Sequence, residues 1–183
     1  MFARLRVEET SFLMVDLQER LLPSIDRQET VIQNAVRLLK TAGVLSVPVL
    51  YTEQYPKGIG PTVPEALDAM PEGTPRFEKT FFSCWGERGF AEVFQTIARP
   101  LAVIFGTETH VCVLGTAQDL LSQGKKVVLA ADACGSRTQE NHNLGLDAAR
   151  SCGALIVPTE TVVYHLLEKS GTPEFKALLP LFK

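Results

Sequence analysis

Histidine is nearly missing from this chain: there are three in 183 residues, none before His110. His110, His142 and His165 are dispersed without metal-ligand spacing, so no metal and no cofactor is expected. Cysteine is sparse too. Cys84, Cys112, Cys134 and Cys152 are widely separated and form no CxxC pair, which excludes a zinc knuckle or a small disulfide scaffold and points to reduced thiols. No apolar run approaches the length of a bilayer-spanning helix, and MFARLRVEE carries charges where a signal peptide needs its apolar centre. A cytoplasmic protein without a membrane partner is expected. A cationic stripe is also lacking. Eighteen basic residues lie scattered among 21 acidic ones, for a net charge of −3, so nucleic acid is not an expected partner. There is no internal repeat and no low-complexity tract.

What is present is an ordinary globular composition, with 45% hydrophobic and 21% charged residues, enough for one domain over 1–183. Short apolar runs at Phe12 to Val15, Val47 to Thr52, Leu101 to Phe105, Val127 to Ala130 and Ala154 to Val157 read as strands. Amphipathic stretches predict helices over Thr30 to Ala42, stopped by Gly43, and over Glu87 to Ile97, Val111 to Gln123 and Glu140 to Ser151. Two short helices are expected at Thr161 to Lys169 and Pro173 to Leu179. This alternation implies a doubly wound, Rossmann-like α/β fold, a mainly parallel sheet with helices on both faces. The Pro/Gly-rich segment Gln54 to Pro75 interrupts the rhythm. Its length suits a lid, a binding loop or a plain surface excursion.

In open parallel sheets, ligands bind beyond the carboxyl ends of the strands, where the strand order reverses. Asp16 follows the first strand, Glu53 follows the second, and Gly106 to His110 leads from a third strand towards Cys112. A cysteine in the first turn of a helix is exposed to unpaired N–H groups and the macrodipole, which favour thiolate over thiol. Cys112 is therefore a candidate nucleophile with a lowered pKa, although free cysteine also serves as a small core hydrophobe. Asp16 could act with it or merely cap its own turn. Lys79 by itself reads as a solvated surface lysine. Phe77, Phe81, Phe82 and Trp85 around it suit a pocket wall or core packing, and Gln54 and Tyr55 could line an entrance. Asp132 reads as a structural turn residue, and Cys84, Cys134 and Cys152 as inert packing. Gly115 suits close backbone packing or is a mild weakness. His110 lies two residues from Cys112, so the pair would not face each other on a helical turn.

Four motifs together carry a family resemblance. DLQ after the first strand, Lys79 in RFEKTFFSCW, the block GTETHVCVLGTAQDLLSQGKKV, and DACGSR resemble the cysteine hydrolases of the isochorismatase-like superfamily, from about Phe12 to Leu179. The run TEQYPKGIGPTVPE is similar to the isochorismatase domain-containing proteins within it. The resemblance implies a triad of Asp16, Lys79 and Cys112. Cys112 attacks an electrophilic carbon, Asp16 moves the proton, and Lys79 keeps the carboxylate ionised. It also implies a cis peptide at Thr107–Glu108, an oxyanion hole from the N–H groups of Glu108 and Cys112, and a homo-oligomer acting on a small-molecule substrate. Two departures narrow the choice. Nicotinamidases of this superfamily carry a D-x-H metal motif where this chain has YTEQYP, and true isochorismatases lack the cysteine. A metal-independent hydrolase of an amide or related acyl compound is the resulting expectation, with a catalytically silent scaffold bearing a redox-sensitive cysteine as the alternative.

Overall fold

The computed structural model of this chain describes residues 4–183, so Met1 to Ala3 of the opening segment lie outside the described residues. Six strands form one all-parallel sheet: β1 (Thr10–Val15), β2 (Val49–Gln54), β3 (Arg76–Lys79), β4 (Leu101–Thr107), β5 (Lys126–Gly135) and β6 (Leu155–Val157). Their spatial order is β3-β2-β1-β4-β5-β6. The chain winds outward from β1 through β2 to β3, then returns to the other side of β1 as β4. This is the doubly wound order, and its reversal between β1 and β4 opens a crevice at their carboxyl ends.

Every residue of β1 and β4 is buried, including polar Thr10 and Ser11. A sheet centre hidden at successive residues must be covered on both faces. The helices provide that cover. They are α1 (Gln28–Leu45), α2 (Pro56–Ile59), α3 (Pro64–Ala69), α4 (Phe90–Gln95), α5 (Leu114–Ser122), α6 (Gln139–Ser151), α7 (Thr159–Leu167) and α8 (Pro173–Leu178). α1 packs with α3, α7 and α8, whereas α5 packs with α6. The stripe Val31, Ala35, Leu38, Leu39 and Ala42 is the buried face of α1, with the spacing an amphipathic helix needs.

Several elements differ from their sequence readings for identifiable reasons. Gly43 does not stop α1; the helix runs on to Leu45 and closes where Ser46 adopts φ 54° and its N–H meets the Ala42 carbonyl. The 54–75 segment is not structureless. It holds α2 and α3 and is seated on the loop after β1 and on the end of β2: the Gln18 amide donates to Gly60 O (2.6 Å), and Glu53 Oε1 accepts from Thr62 N (2.7 Å) and Thr62 Oγ1 (2.8 Å). Strand β3 follows it at once. The expected helix at Glu87 shortens to α4, because Cys84–Gly86 forms a 3-10 turn and Gly89 enters α4 with φ 86°.

Candidate active site

Asp16 is the first residue past β1 and takes φ 52°, a left-handed conformation that aspartate tolerates better than most residues. The neighbouring strand reaches it through Gly106. There φ is 127°, and a Cβ would sit 2.0 Å from the Val15 carbonyl oxygen, so no other residue fits without moving backbone. Immediately beyond, Thr107 Oγ1 donates to Asp16 O at 2.6 Å. The turn leading to Cys112 is thereby tied to the backbone of Asp16.

The Asp16 carboxylate does not cap its own turn. Oδ1 accepts from Thr52 Oγ1 at 2.7 Å, and Oδ2 accepts from Lys79 Nζ at 2.6 Å. Both charged side chains are fully shielded from solvent. Lys79, the last residue of β3, is thus no surface lysine. Its ammonium also donates to Gln54 Oε1 (2.6 Å), Phe81 O (3.2 Å) and Phe82 O (3.1 Å). Thr52 and Gln54 project from the same face of β2, two residues apart, and each serves one member of the ion pair. Burial on its own would lower the Lys79 pKa. The Asp16 carboxylate, with Cys84 and Cys112 nearby, more than offsets it, so the value is raised and the ammonium is retained.

Cys112 is buried in a five-residue π-helical turn, Thr109–Val113, which runs directly into α5. The expected lowered pKa is corrected here. Burial, followed by the Asp16 carboxylate, pushes the Cys112 thiol from 9.0 up to about 12, with Lys79 opposing. Asp16 acts on this thiol by its negative charge, which disfavours the thiolate. The helix-start argument leaves out burial first and the nearby Asp16 carboxylate second, and both raise the thiol. The resting group is a thiol beside a carboxylate, which suits proton transfer during attack rather than a standing thiolate.

The expected cis peptide at Thr107–Glu108 is also corrected, since no cis bond occurs among the described residues. Gly106 and Glu108 instead take φ 127° and 52°, and these positive values turn the chain with all peptides trans. The Glu108 carbonyl accepts from Val111 N (2.9 Å) and Val113 N (3.2 Å), which fixes the turn around Cys112. Its carboxylate meets Arg137 Nε at 2.9 Å, while Oε2 is buried without a hydrogen bond. His110 Nδ1 lies 3.0 Å from Ser136 Oγ. Gly145 of α6 packs so closely on His110 that a Cβ would be 2.8 Å from its Cα.

Gln54 is buried in the Lys79 network rather than at an entrance, whereas Tyr55 is exposed. Phe82 contributes its carbonyl to Lys79 and leaves its ring in solvent. Trp85 packs against Phe90 and Phe94 at centroid distances of 5.9 and 6.0 Å, on the core side. Asp132 is structural, as its carboxylate accepts from Thr159 N (2.6 Å) at the start of α7. Cys84 is more than the inert packing its sequence setting suggests, since it lies near the Lys79–Asp16 pair. Burial raises its thiol to about 11 against the pull of Lys79, and its backbone N–H donates to Thr116 Oγ1 at 3.0 Å. Thr52, Cys84 and Thr107 carried no sequence signal, being common core residue types.

Among the described residues no three His, Cys, Asp or Glu side chains come together as a metal site. The donors at the end of β2 are committed elsewhere: Glu53 holds Thr62 and Arg76, and Thr52 and Gln54 hold the ion pair. No helix among the described residues is long and apolar enough to cross a membrane.

Comparison with known proteins agrees with this fold. The family model described as Isochorismatase domain matches residues 10–161. Isochorismatase domain-containing protein 2 of Danio rerio is 38% identical over 97% of this chain and 89% of its own length. Among solved structures, one described as the MAR1 ribonuclease of Caenorhabditis elegans is 33% identical with a TM-score of 0.91, covering 98% of this chain and 92% of that one. The YcaC gene product of Escherichia coli, described as an octameric hydrolase of unknown specificity, shares the fold at 22% identity and a TM-score of 0.91, over 99% of this chain and 91% of that one.

Proposed function

This chain belongs to the isochorismatase domain family, and we propose that within it the protein is a metal-independent cysteine hydrolase acting on a small-molecule amide or related acyl compound. One observation carries this reading: a buried thiol, Cys112, stands beside a buried carboxylate, Asp16, whose second oxygen is held by the Lys79 ammonium. As the Cys112 sulfur attacks the carbonyl carbon, Asp16 takes the thiol proton. A C–S bond forms and the carbonyl π pair moves onto oxygen. The N–H groups of Glu108 and Cys112 are the proposed donors to that oxyanion. Collapse breaks the bond to the leaving group, which departs with the proton from Asp16. Water then attacks the thioester, Asp16 takes its proton, and the acid is released as the thiol is restored. Lys79 holds the Asp16 carboxylate in place through these transfers.

The raised Cys112 thiol supports this order of events, because a proton that is hard to lose in the resting state must leave with the help of a base. The scaffold alternative leaves the buried ion pair without a purpose, and breaking or burying charges is costly. The ribonuclease description of a relative raises a second substrate class, but the basic residues here are scattered in sequence among a larger number of acidic ones, which does not favour a polyanionic substrate. A homo-oligomer, as described for the E. coli neighbour, and a cytoplasmic setting complete the proposal.

The test is a hydrolysis screen of amides, ureas, activated esters and an RNA oligonucleotide, with wild type, Cys112→Ala and Asp16→Asn compared. Turnover of an acyl compound that is lost in Cys112→Ala, with an acyl mass adduct on Cys112, is expected. Activity that survives Cys112→Ala, or cleavage confined to RNA, overturns the reading.

A further inference from the structure

The loop between β3 and the 3-10 turn at Cys84 holds Lys79 by its backbone. Two of the four acceptors around the ammonium are the carbonyls of Phe81 and Phe82, in a loop with little apolar burial of its own. Phe81 and Phe82 are 57% and 64% exposed. What fixes the loop is polar. Glu87 Oε2 accepts from Thr80 N (2.7 Å), Thr80 Oγ1 (3.0 Å) and Phe81 N (3.3 Å), and Gln54 Nε2 donates to Thr80 O (2.7 Å). The far end of the loop is anchored on α5, where Ser83 Oγ meets Asp119 Oδ2 (2.5 Å) and Cys84 N meets Thr116 Oγ1 (3.0 Å).

We infer that Glu87 is a positioning residue for the site: its carboxylate folds the 80–82 loop so that the loop carbonyls seat the Lys79 ammonium against Asp16. An ammonium has three protons to place, and among the described residues Asp16, Gln54 and the two loop carbonyls receive them. Releasing Thr80 and Phe81 lets those carbonyls swing away. A buried lysine that loses half its acceptors moves towards solvent, and Asp16 loses its counter-ion. The same N–H bonds, from Thr80 first, hold the Glu87 carboxyl below its ordinary value, so the clamp is charged at neutral pH. Glu87 itself touches neither Asp16 nor Cys112 and acts through the loop.

This inference rests on the hydrolase reading for its catalytic consequence but not for its geometry, and the test separates the two. In the full chain, protection of Lys79 from N-hydroxysuccinimidyl acetate is measured by mass spectrometry against exposed Lys57, together with the rate of Cys112 acylation by p-nitrophenyl acetate and the thermal midpoint. In Glu87→Ala, Lys79 labelling is expected to rise about tenfold and Cys112 acylation to fall about 10- to 100-fold, the cost of a small misplacement at a reacting group. Glu87→Gln keeps an acceptor oxygen and should restore both to within about threefold of wild type. Lys79 that stays protected in Glu87→Ala overturns the proposal. So does Lys79 exposure with unchanged Cys112 acylation, or labelling that rises only in step with a lowered thermal midpoint. If Cys112→Ala releases p-nitrophenol from p-nitrophenyl acetate as fast as wild type, the hydrolase reading falls, while Lys79 protection still decides the role of Glu87.

Discussion

Lys79 Nζ lies 2.6 Å from Asp16 Oδ2 across 63 residues of sequence, with both side chains out of solvent. A pair so placed is informative when one member is removed, since the remaining charge is buried without compensation. Lys79→Met should destabilise the fold by about 3–5 kcal/mol in chemical denaturation, and adding Asp16→Asn should recover most of that loss. Acylation of Cys112 should stay impaired in the double variant. Recovery of both properties together would contradict a chemical role for the pair.

Asp16→Asn alone should move two properties of Cys112 in opposite directions. Asp16 is among the groups that push the Cys112 thiol up to about 12, so neutralising it eases ionisation and speeds alkylation by iodoacetamide at a fixed pH. Hydrolysis should nevertheless fall by about 10²- to 10⁴-fold, because the proton acceptor is gone. Parallel changes in the two rates, followed by mass spectrometry and by product release, would rule out general-base assistance by Asp16.

Gly106→Ala should be far more damaging than Gly124→Ala, although both glycines have positive φ. A Cβ at 106 would stand 2.0 Å from Val15 O, whereas nothing lies within 4 Å at 124. Urea denaturation should show a loss on the order of 3 kcal/mol or more at 106, against about 1–2 kcal/mol at 124 for conformational strain alone.

Stability should decline on the alkaline side. Burial raises the thiols of Cys112 and Cys134 to about 12 and that of Cys84 to about 11, from 9.0. A group raised in the folded state holds its proton more tightly there than in the unfolded chain. Its contribution is therefore complete below about pH 9 and is lost as pH rises towards 12. The raised Lys79 acts in the same direction. Cys134→Ala should flatten the fall in unfolding free energy over this window, whatever its effect at neutral pH.

Metal removal should leave activity untouched. Glu53 is the single carboxylate at the end of β2, and both its oxygens are engaged by Thr62 and Arg76. Elemental analysis should find no stoichiometric zinc, iron or manganese. Loss of activity on chelation with recovery on metal readdition would overturn this expectation.

How much of this was legible in the sequence depended on burial. β1 and β4 are hidden on both faces, so their apolar runs announced them, and Asp16 at the end of β1 followed from the strand-end rule. β3 reads RFEK because Arg76 and Glu78 form an ion pair towards solvent at 2.9 Å, and such a strand leaves no apolar run. The 54–75 segment consequently looked longer and looser than it is. Lys79 could be singled out only through the family resemblance, since no local pattern reveals that a lysine will meet a carboxylate contributed by β1. The thiol of Cys112 departs from its sequence expectation because a helix start is visible in sequence, whereas burial near Asp16 is a tertiary fact. The π-helical turn likewise has no signature in THVCV.

β3 occupies the outer edge of the sheet and is four residues long, yet it delivers the cation of the site. An edge strand is held by ladder bonds on one side alone, here to β2, with Tyr55 N on Lys79 O (2.8 Å) and Tyr51 N on Pro75 O (3.2 Å) closing its two ends. Local opening of this edge costs less than global unfolding. The amides of Tyr51 and Tyr55 should accordingly exchange their hydrogens before those of β1 and β4. Inactivation by mild denaturant would then run ahead of the loss of secondary structure, with the sheet centre intact and Asp16 stripped of its counter-ion.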